Sequence, residues 1–267
     1  MTVLVGALCV DGVVIGADSI ATSALGLHPL IQIRSDDKVI IVGDKVIIAT
    51  TGSVGLRQRF HSIVDNCFGQ GIFDQQSCAN CMKMLSALAV QDFGSTGVQR
   101  TPQGGLGFGA MLAAPIVGQP ELIEFSHIDM QPERKTGRLH FVSMGSGQIL
   151  ADPFLAFVSR VLWRGTIPDV KIATLGVYWT LAHAIKYAPG GIGEPIRIAI
   201  LRRINGAWKA TLVGEDEQQE AAQHIDAIEE RIGHYPAEII ETAPTSPIPE
   251  PPPSLLAAPQ NLGETPT

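Results

Sequence analysis

The chain has 267 residues, of which 45% are apolar and 17% charged, and its formal charge is −7. This balance fits a globular protein with ample material for a core and excludes a disordered chain. The acidic excess argues against nucleic acid or an anionic membrane as the main partner. No run of about eighteen uninterrupted apolar residues occurs, so no transmembrane helix is predicted. The apolar N-terminus lacks a basic n-region and a small-residue cleavage site and carries Asp11 in its middle, so no signal peptide is read and a cytoplasmic location is expected.

The first eighteen residues read as a β-hairpin, with Asp11-Gly12 as its turn and Asp18 at the end of the returning strand. Residues 19–29 read as a loop, and a short strand is predicted over 30–34. Lys38 opens a second hairpin with a Gly43-Asp44 turn and Val and Ile in both arms. Gly52-Ser53-Val54-Gly55 ends it, and Leu56, Phe60, Ile63, Val64 and Cys67 then recur at helical spacing. A second helix is expected over 75–93, a loop over 94–105, and strands near 106–114, 121–129 and 138–144. Asp129–Gly137 reads as a polar hairpin loop. Helices follow Ser143-Met-Gly-Ser-Gly147 and Pro168, and Asn205-Gly206 marks another hairpin. A charged helix is expected over about 215–232. From Ala243 the chain is rich in proline and lacks periodicity, which predicts a disordered or polyproline-like extension. Such a segment can serve as an SH3-type ligand or simply as a solvated extension.

Runs of strands alternate with pairs of helices. The pattern fits an α+β fold, a four-layer α-β-β-α sandwich of two antiparallel sheets, over residues 1–235, with 243–267 as the extension. One sheet with helices on a single face is the alternative.

The four cysteines are Cys9, Cys67, Cys78 and Cys81. Cys78-Ala-Asn-Cys81 has redox or zinc-ligand spacing, but no second Cys or His pair follows at a zinc-site interval. With Met82, Leu85, Leu88 and Ala89 it forms the apolar stripe of a helix, and no metal or cofactor is expected.

The chemistry-bearing residue is Thr2. Loss of Met1 would give it both a hydroxyl and a free amine. A threonine hydroxyl is a poor nucleophile without a base, and an α-amine with a pKa of about 7.7–8.0 supplies one. The scheme further needs a cation, a carboxylate to hold it, and a backbone N–H for the oxyanion. Lys38, Asp18 and the Gly52 turn are the candidates. Each has a plainer reading: an edge lysine, a capping carboxylate, a sharp turn, and a chain that merely begins Met-Thr.

Taken jointly, these residues resemble the proteasome β-type family of N-terminal-nucleophile hydrolases. Thr2 matches the family's nucleophile. Asp18 lies in Gly16-Ala-Asp-Ser19, similar to its Ala-Asp-Ser/Gly motif. Lys38 stands before an apolar strand, and Gly52-Ser-Val-Gly55 resembles the oxyanion turn. Gly145-Ser146-Gly147 looks like the family's Gly-Ser-Gly, which implies that Ser146 bonds the terminal amine. The resemblance further implies that Thr22 binds the substrate backbone, and that Ala21, Ile40 and Thr50 line a moderately apolar pocket for the residue before the scissile bond. It also implies homo-oligomeric stacked rings, unfolded protein or peptide substrates, and an ATP-dependent unfoldase as a possible partner. Among bacterial members, the HslV-related and bacterial proteasome homologue types suit the short leader. The family's Asp-x-x-Ser pair has no counterpart in Tyr187–Glu194.

The function read from these residues is a threonine peptidase. Two rivals are a hydrolase of a small amide with the same machinery, and a catalytically silent ring scaffold.

Overall fold

The computed structural model describes residues 2–25, 28–34, 38–95, 97 and 105–242, with side chains outside 22–33 and 236–242. Two compact units are distinguished, Met1–Ile225 and Asp226–Thr267. The first holds two five-stranded antiparallel sheets and their helices.

The first sheet orders its strands β10 (Phe141–Met144), β1 (Leu4–Leu8), β2 (Gly12–Ala17), β11 (Arg197–Ile204) and β12 (Ala207–Leu212). The second runs β5 (Val39–Val42), β6 (Val46–Gly52), β7 (Phe108–Ile116), β8 (Gln119–Phe125) and β9 (Pro132–Arg134). Side chains alternate across each strand, so each sheet buries two faces. In β6, Ile47 and Ala49 join Leu4, Ile15, Met111 and Leu201 in the layer between the sheets. Ile48 turns the other way, to a cluster containing Phe60, Leu85 and Phe93. That cluster is supplied by α1 (Val54–Gly69), α2 (Ile72–Gln75) and α3 (Cys78–Ser95). On the outer face of the first sheet, α5 (Val170–Tyr187) packs on β1 and β2, and α4 (Gln148–Val161) on β10. The expected α-β-β-α sandwich is therefore the fold, and the single-sheet alternative falls away.

Three local differences from the sequence reading have physical causes. The first turn sits one residue early: Leu8 pairs with Val13, Cys9 N–H donates to Gly12 O at 2.8 Å, and Val10-Asp11 make the turn. The Asp11 carboxylate is drawn to the start of α5, where it accepts from Val170 N at 2.8 Å. Residues expected as a loop over 19–29 include β3 (Ile20–Leu25), paired antiparallel with β4 (His28–Arg34). The sequence of β3, Ile-Ala-Thr-Ser-Ala-Leu, has no period-2 alternation to mark a strand, and its pairing is irregular between Ser23 and Ala24. Within the polar loop Asp129–Gly137, β9 pairs with β8, and neighbouring cations offset the facing Glu124 and Glu133. Arg134 grips Glu121 through two contacts of 2.6 Å, and buried Lys135 bridges Glu124 at 2.6 Å and Glu133 at 2.8 Å. The other two hairpin turns follow the sequence, with positive φ at Gly43 and Asp44 (53° and 59°) and at Asn205 and Gly206 (51° and 83°).

Cys81 is buried and Cys78 half-buried on α3, and all four cysteines are free thiols. No helix of the described residues is long and apolar enough to cross a membrane. The second unit contains the C-terminal part of α6 (Glu215–Thr242), which continues through Gly233 and Pro236 beyond the expected end. The proline-rich segment from residue 243 lies outside the described residues.

Candidate active site

Strand β1 is the middle of the construction. Leu4 faces Met144 of β10 on one side and Ala17 of β2 on the other. Thr2 and Val3 therefore emerge between the turn that follows β10 and Asp18, the residue that follows β2.

The turn after β10 is Gly145-Ser146-Gly147, and it holds Thr2 at both ends of its backbone. Thr2 N donates to Ser146 Oγ at 3.1 Å, and Gly147 N donates to Thr2 O at 3.0 Å. The fit requires glycine at 145: φ is +91°, and a Cβ there would lie 2.3 Å from Thr2 O. Thr2 itself is buried, at 8% exposure.

Asp18 is fully buried at 0% exposure. A carboxylate is tolerated there only if its oxygens are saturated. Oδ1 accepts from Val3 N at 2.9 Å and Lys38 Nζ at 2.7 Å. Oδ2 accepts from Ile20 N at 3.2 Å and Gly193 N at 3.3 Å. One side chain thus ties the start of β1, the start of β3, the loop before β11 and the lysine ahead of β5. Lys38 is buried at 5% exposure. Burial holds its ammonium below lysine's usual range; the Asp18 charge and hydrogen bond oppose this, and the Arg57 charge adds to the lowering.

A cavity of about 240 Å³ opens beside these groups, lined by Thr2, Ala21, Lys38, Thr50, Thr51, Gly52, Val54, Arg57 and Ser146. Gly52 ends β6 with φ of +100°, and a Cβ there would lie 2.0 Å from Gly107 O. This closeness lets β6 stop and α1 begin at Val54 within two residues. The N-cap Ser53 makes no side-chain cap bond, and no acidic residue sits in the first turn of α1. The cavity therefore borders a helix N-terminus whose amides receive no side-chain cap and whose dipole favours negative charge.

Of the residues singled out in the sequence, Thr2, Lys38, Gly52, Ser146, Ala21 and Thr50 meet around this cavity, and Asp18 lies behind Lys38. Ile40 is not brought there: it packs against the helix-side cluster with Val42 and Ile48. The Thr22 side chain lies outside the described residues. Arg57, Thr51 and Val54 line the cavity without having been anticipated. The signal for Arg57 was present, since a basic residue one turn into a helix that starts at a glycine turn must lie near that turn. The loop 187–194, in which no Asp-x-x-Ser occurs, contributes through its backbone: Gly193 N reaches Asp18, and Gly193 O accepts from Ser19 N at 3.0 Å. Among the described residues no group of three or more His, Cys, Asp or Glu could hold a metal ion.

No family model matches the sequence, and no curated protein matches it. Solved structures do. An Anbu (Gly-1) mutant from Hyphomicrobium sp. strain MC1 is 13% identical, covers 87% of this chain and 97% of its own, and superposes with a TM-score of 0.65. Anbu from the same strain is 14% identical over 86% of this chain and 97% of its own, with a TM-score of 0.62. The Anbu complex from Pseudomonas aeruginosa, solved as a helical assembly, is 16% identical over 92% of this chain and 98% of its own, with a TM-score of 0.60. At such identities the likeness bears on the fold alone, and it agrees with the two-sheet α-β-β-α sandwich described above. It also corrects the family placement read from the motifs. The structural neighbours are Anbu proteins, so the placement among HslV-related or bacterial proteasome homologue types is set aside.

Proposed function

We propose that the chain is a threonine peptidase whose nucleophile is Thr2 after removal of Met1. The observation that carries this reading is the double grip on Thr2, with its nitrogen 3.1 Å from Ser146 Oγ, beside the cavity that Lys38 also lines. In the proposed cycle the Thr2 amine takes the proton from its own hydroxyl as Oγ attacks the carbonyl carbon of the scissile amide. The Gly52 N–H and the start of α1 receive the oxyanion. Collapse breaks the C–N bond, and the amine returns its proton to the departing nitrogen. The resulting ester is hydrolysed by water through the same base. Lys38, held by Asp18, keeps a positive charge near the hydroxyl, which favours its ionised form and an unprotonated amine. Ser146 orients that amine. Ala21, Thr22 and Thr50 contact the substrate.

The proposed functional domain is residues 1–235, with 243–267 as an extension. We further take it to work in the cytoplasm, on unfolded protein or peptides, inside a homo-oligomeric ring, with an ATP-dependent unfoldase as a candidate partner. The helical assembly of the P. aeruginosa Anbu complex supports the oligomeric part. Thr2→Ala tests the reading. Peptide hydrolysis is expected to fall by about 10³-fold or more, as when a nucleophile is removed from other acyl-transfer sites. Retained hydrolysis would sink the proposal.

A further inference from the structure

A second cavity, of about 320 Å³, adjoins the one at Thr2. Thr51, Gly52 and Ser146 line both. The two therefore meet at the glycine proposed to receive the oxyanion and at the serine that bonds the Thr2 nitrogen. Ala21 and Lys38 border only the first, whereas Phe108, His127 and Gln148 border only the second. Much of the second wall is main chain: Gly107 and Gly109 at the start of β7, and Gly145 in the turn after β10. These glycines let neighbouring chain segments close up. A Cβ on Gly109 would lie 2.8 Å from Met144 Cε and 3.2 Å from His127 Cβ, and one on Gly145 would lie 2.3 Å from Thr2 O. A wall of main chain has no rotamers with which to fill the space. No Lys, Arg, Asp or Glu lines this cavity among the described residues.

We infer that the second cavity receives the side chain on the leaving side of the scissile bond and selects a large uncharged ring there, phenylalanine or tyrosine. The inference rests on Thr2 being the nucleophile. Which side of the bond it serves follows from the proton. The departing nitrogen must take its proton from the Thr2 amine, and Ser146 holds that amine at 3.1 Å. The residue that leaves therefore lies towards Ser146, where Gly145 and Gln148 border the second cavity. The acyl residue keeps to the side of Ala21 and Lys38. The kind of side chain follows from the walls. A charged one would give up water and meet no opposite charge. A glycine or alanine would leave the space unfilled. An aromatic ring can lay its face on flat peptide groups and on the His127 imidazole, and it buries the most apolar area of any side chain that fits.

The test uses the full chain and four internally quenched peptides that differ only in the residue after the scissile bond: phenylalanine, glycine, aspartate and lysine. The cleaved bond is identified from the fragment masses. The wild type is expected to cleave the phenylalanine peptide with the highest kcat/KM, about tenfold to a hundredfold above glycine, the scale of burying one large side chain. His127→Ala should narrow that ratio by about threefold to tenfold, the scale of one aromatic contact. His127→Glu places a carboxylate on the wall of the neutral cavity and should move first place to lysine. This reversal cannot come from a loss of folding, which would depress all four substrates together. A wild-type preference for glycine, aspartate or lysine, or His127 variants with an unchanged ranking and ratio, would overturn the inference while leaving Thr2 catalysis intact. Failure of the wild type to cleave any of the four would overturn the Thr2 reading and the preference with it.

Discussion

The two ends of the sandwich differ in a way that cavity size does not reveal. At the end of β1 where Thr2 lies, the cavity is about 240 Å³ and is surrounded by buried polar groups: Thr2, Asp18, Lys38 and Thr50 are each at most 8% exposed. At the other end of β1, where the strand turns at Val10 and Asp11, a cleft of about 710 Å³ is lined by Arg202, Arg203 and Trp208. Its charges sit in solvent, and Trp208 spends its indole N–H on Gly118 O at 3.0 Å. The arginine stacked on it, 5.1 Å from the ring centre, is a surface contact. A buried charge must be held by partners at fixed distances, whereas an exposed one need not be. Chemistry therefore points to the smaller cavity.

The largest separation between the ends is expected in stability. Asp18→Ala leaves Lys38 buried without its carboxylate and should cost about 3–5 kcal/mol in denaturant unfolding. Arg203→Ala at the far end should cost within about 1 kcal/mol. Comparable losses would break the contrast. Next is Ser146→Ala. The residue is exposed, so unfolding should barely change, while turnover should fall by about tenfold, one hydrogen bond to the amine. A fall in stability without a fall in turnover would make Ser146 a structural residue only.

A smaller effect concerns pH. Burial lowers the Lys38 pKa below its ordinary 10.5. Between the lowered value and 10.5 the unfolded chain binds more protons than the folded one, so this group's contribution rises with pH across that window. Below the window its charge is a constant cost. Replacing Lys38 with Met should flatten that rise in thermal melts taken along an alkaline pH series, and an unchanged slope would show that another group causes it. The smallest effect is at Ser19. Its hydroxyl is fully buried and has no hydrogen-bond partner among the described residues. Ser19→Ala should be neutral or stabilising by up to about 1 kcal/mol, and a loss greater than that would reveal a bond to the hydroxyl.

Most of the fold was legible because its signals are local. Val and Ile runs divided by Gly43-Asp44 and Asn205-Gly206 specify hairpins, and Leu56, Phe60, Val64 and Cys67 mark the buried face of α1. What escaped was set by distant partners. At β9, Arg134 and Lys135 find Glu121, Glu124 and Glu133, and the first turn shifted because Asp11 serves α5. The site divides in the same way. Asp18 and Lys38 could be paired from the hairpins that bear them. The part played by Gly193 could not, since a backbone N–H leaves no mark in a sequence. Ile40 was expected at the pocket, but strand alternation turns it to the helix side.

The central claim is that Thr2, as the first residue of the working chain, supplies both hydroxyl and amine. Intact mass of the purified protein before and after treatment with a peptide epoxyketone, which needs both groups on one residue, measures this directly. The account predicts a chain lacking Met1 that gains one inhibitor mass, mapped to Thr2 and absent in Thr2→Ala. A chain that retains Met1, or one that loses it and gains no adduct, would contradict it.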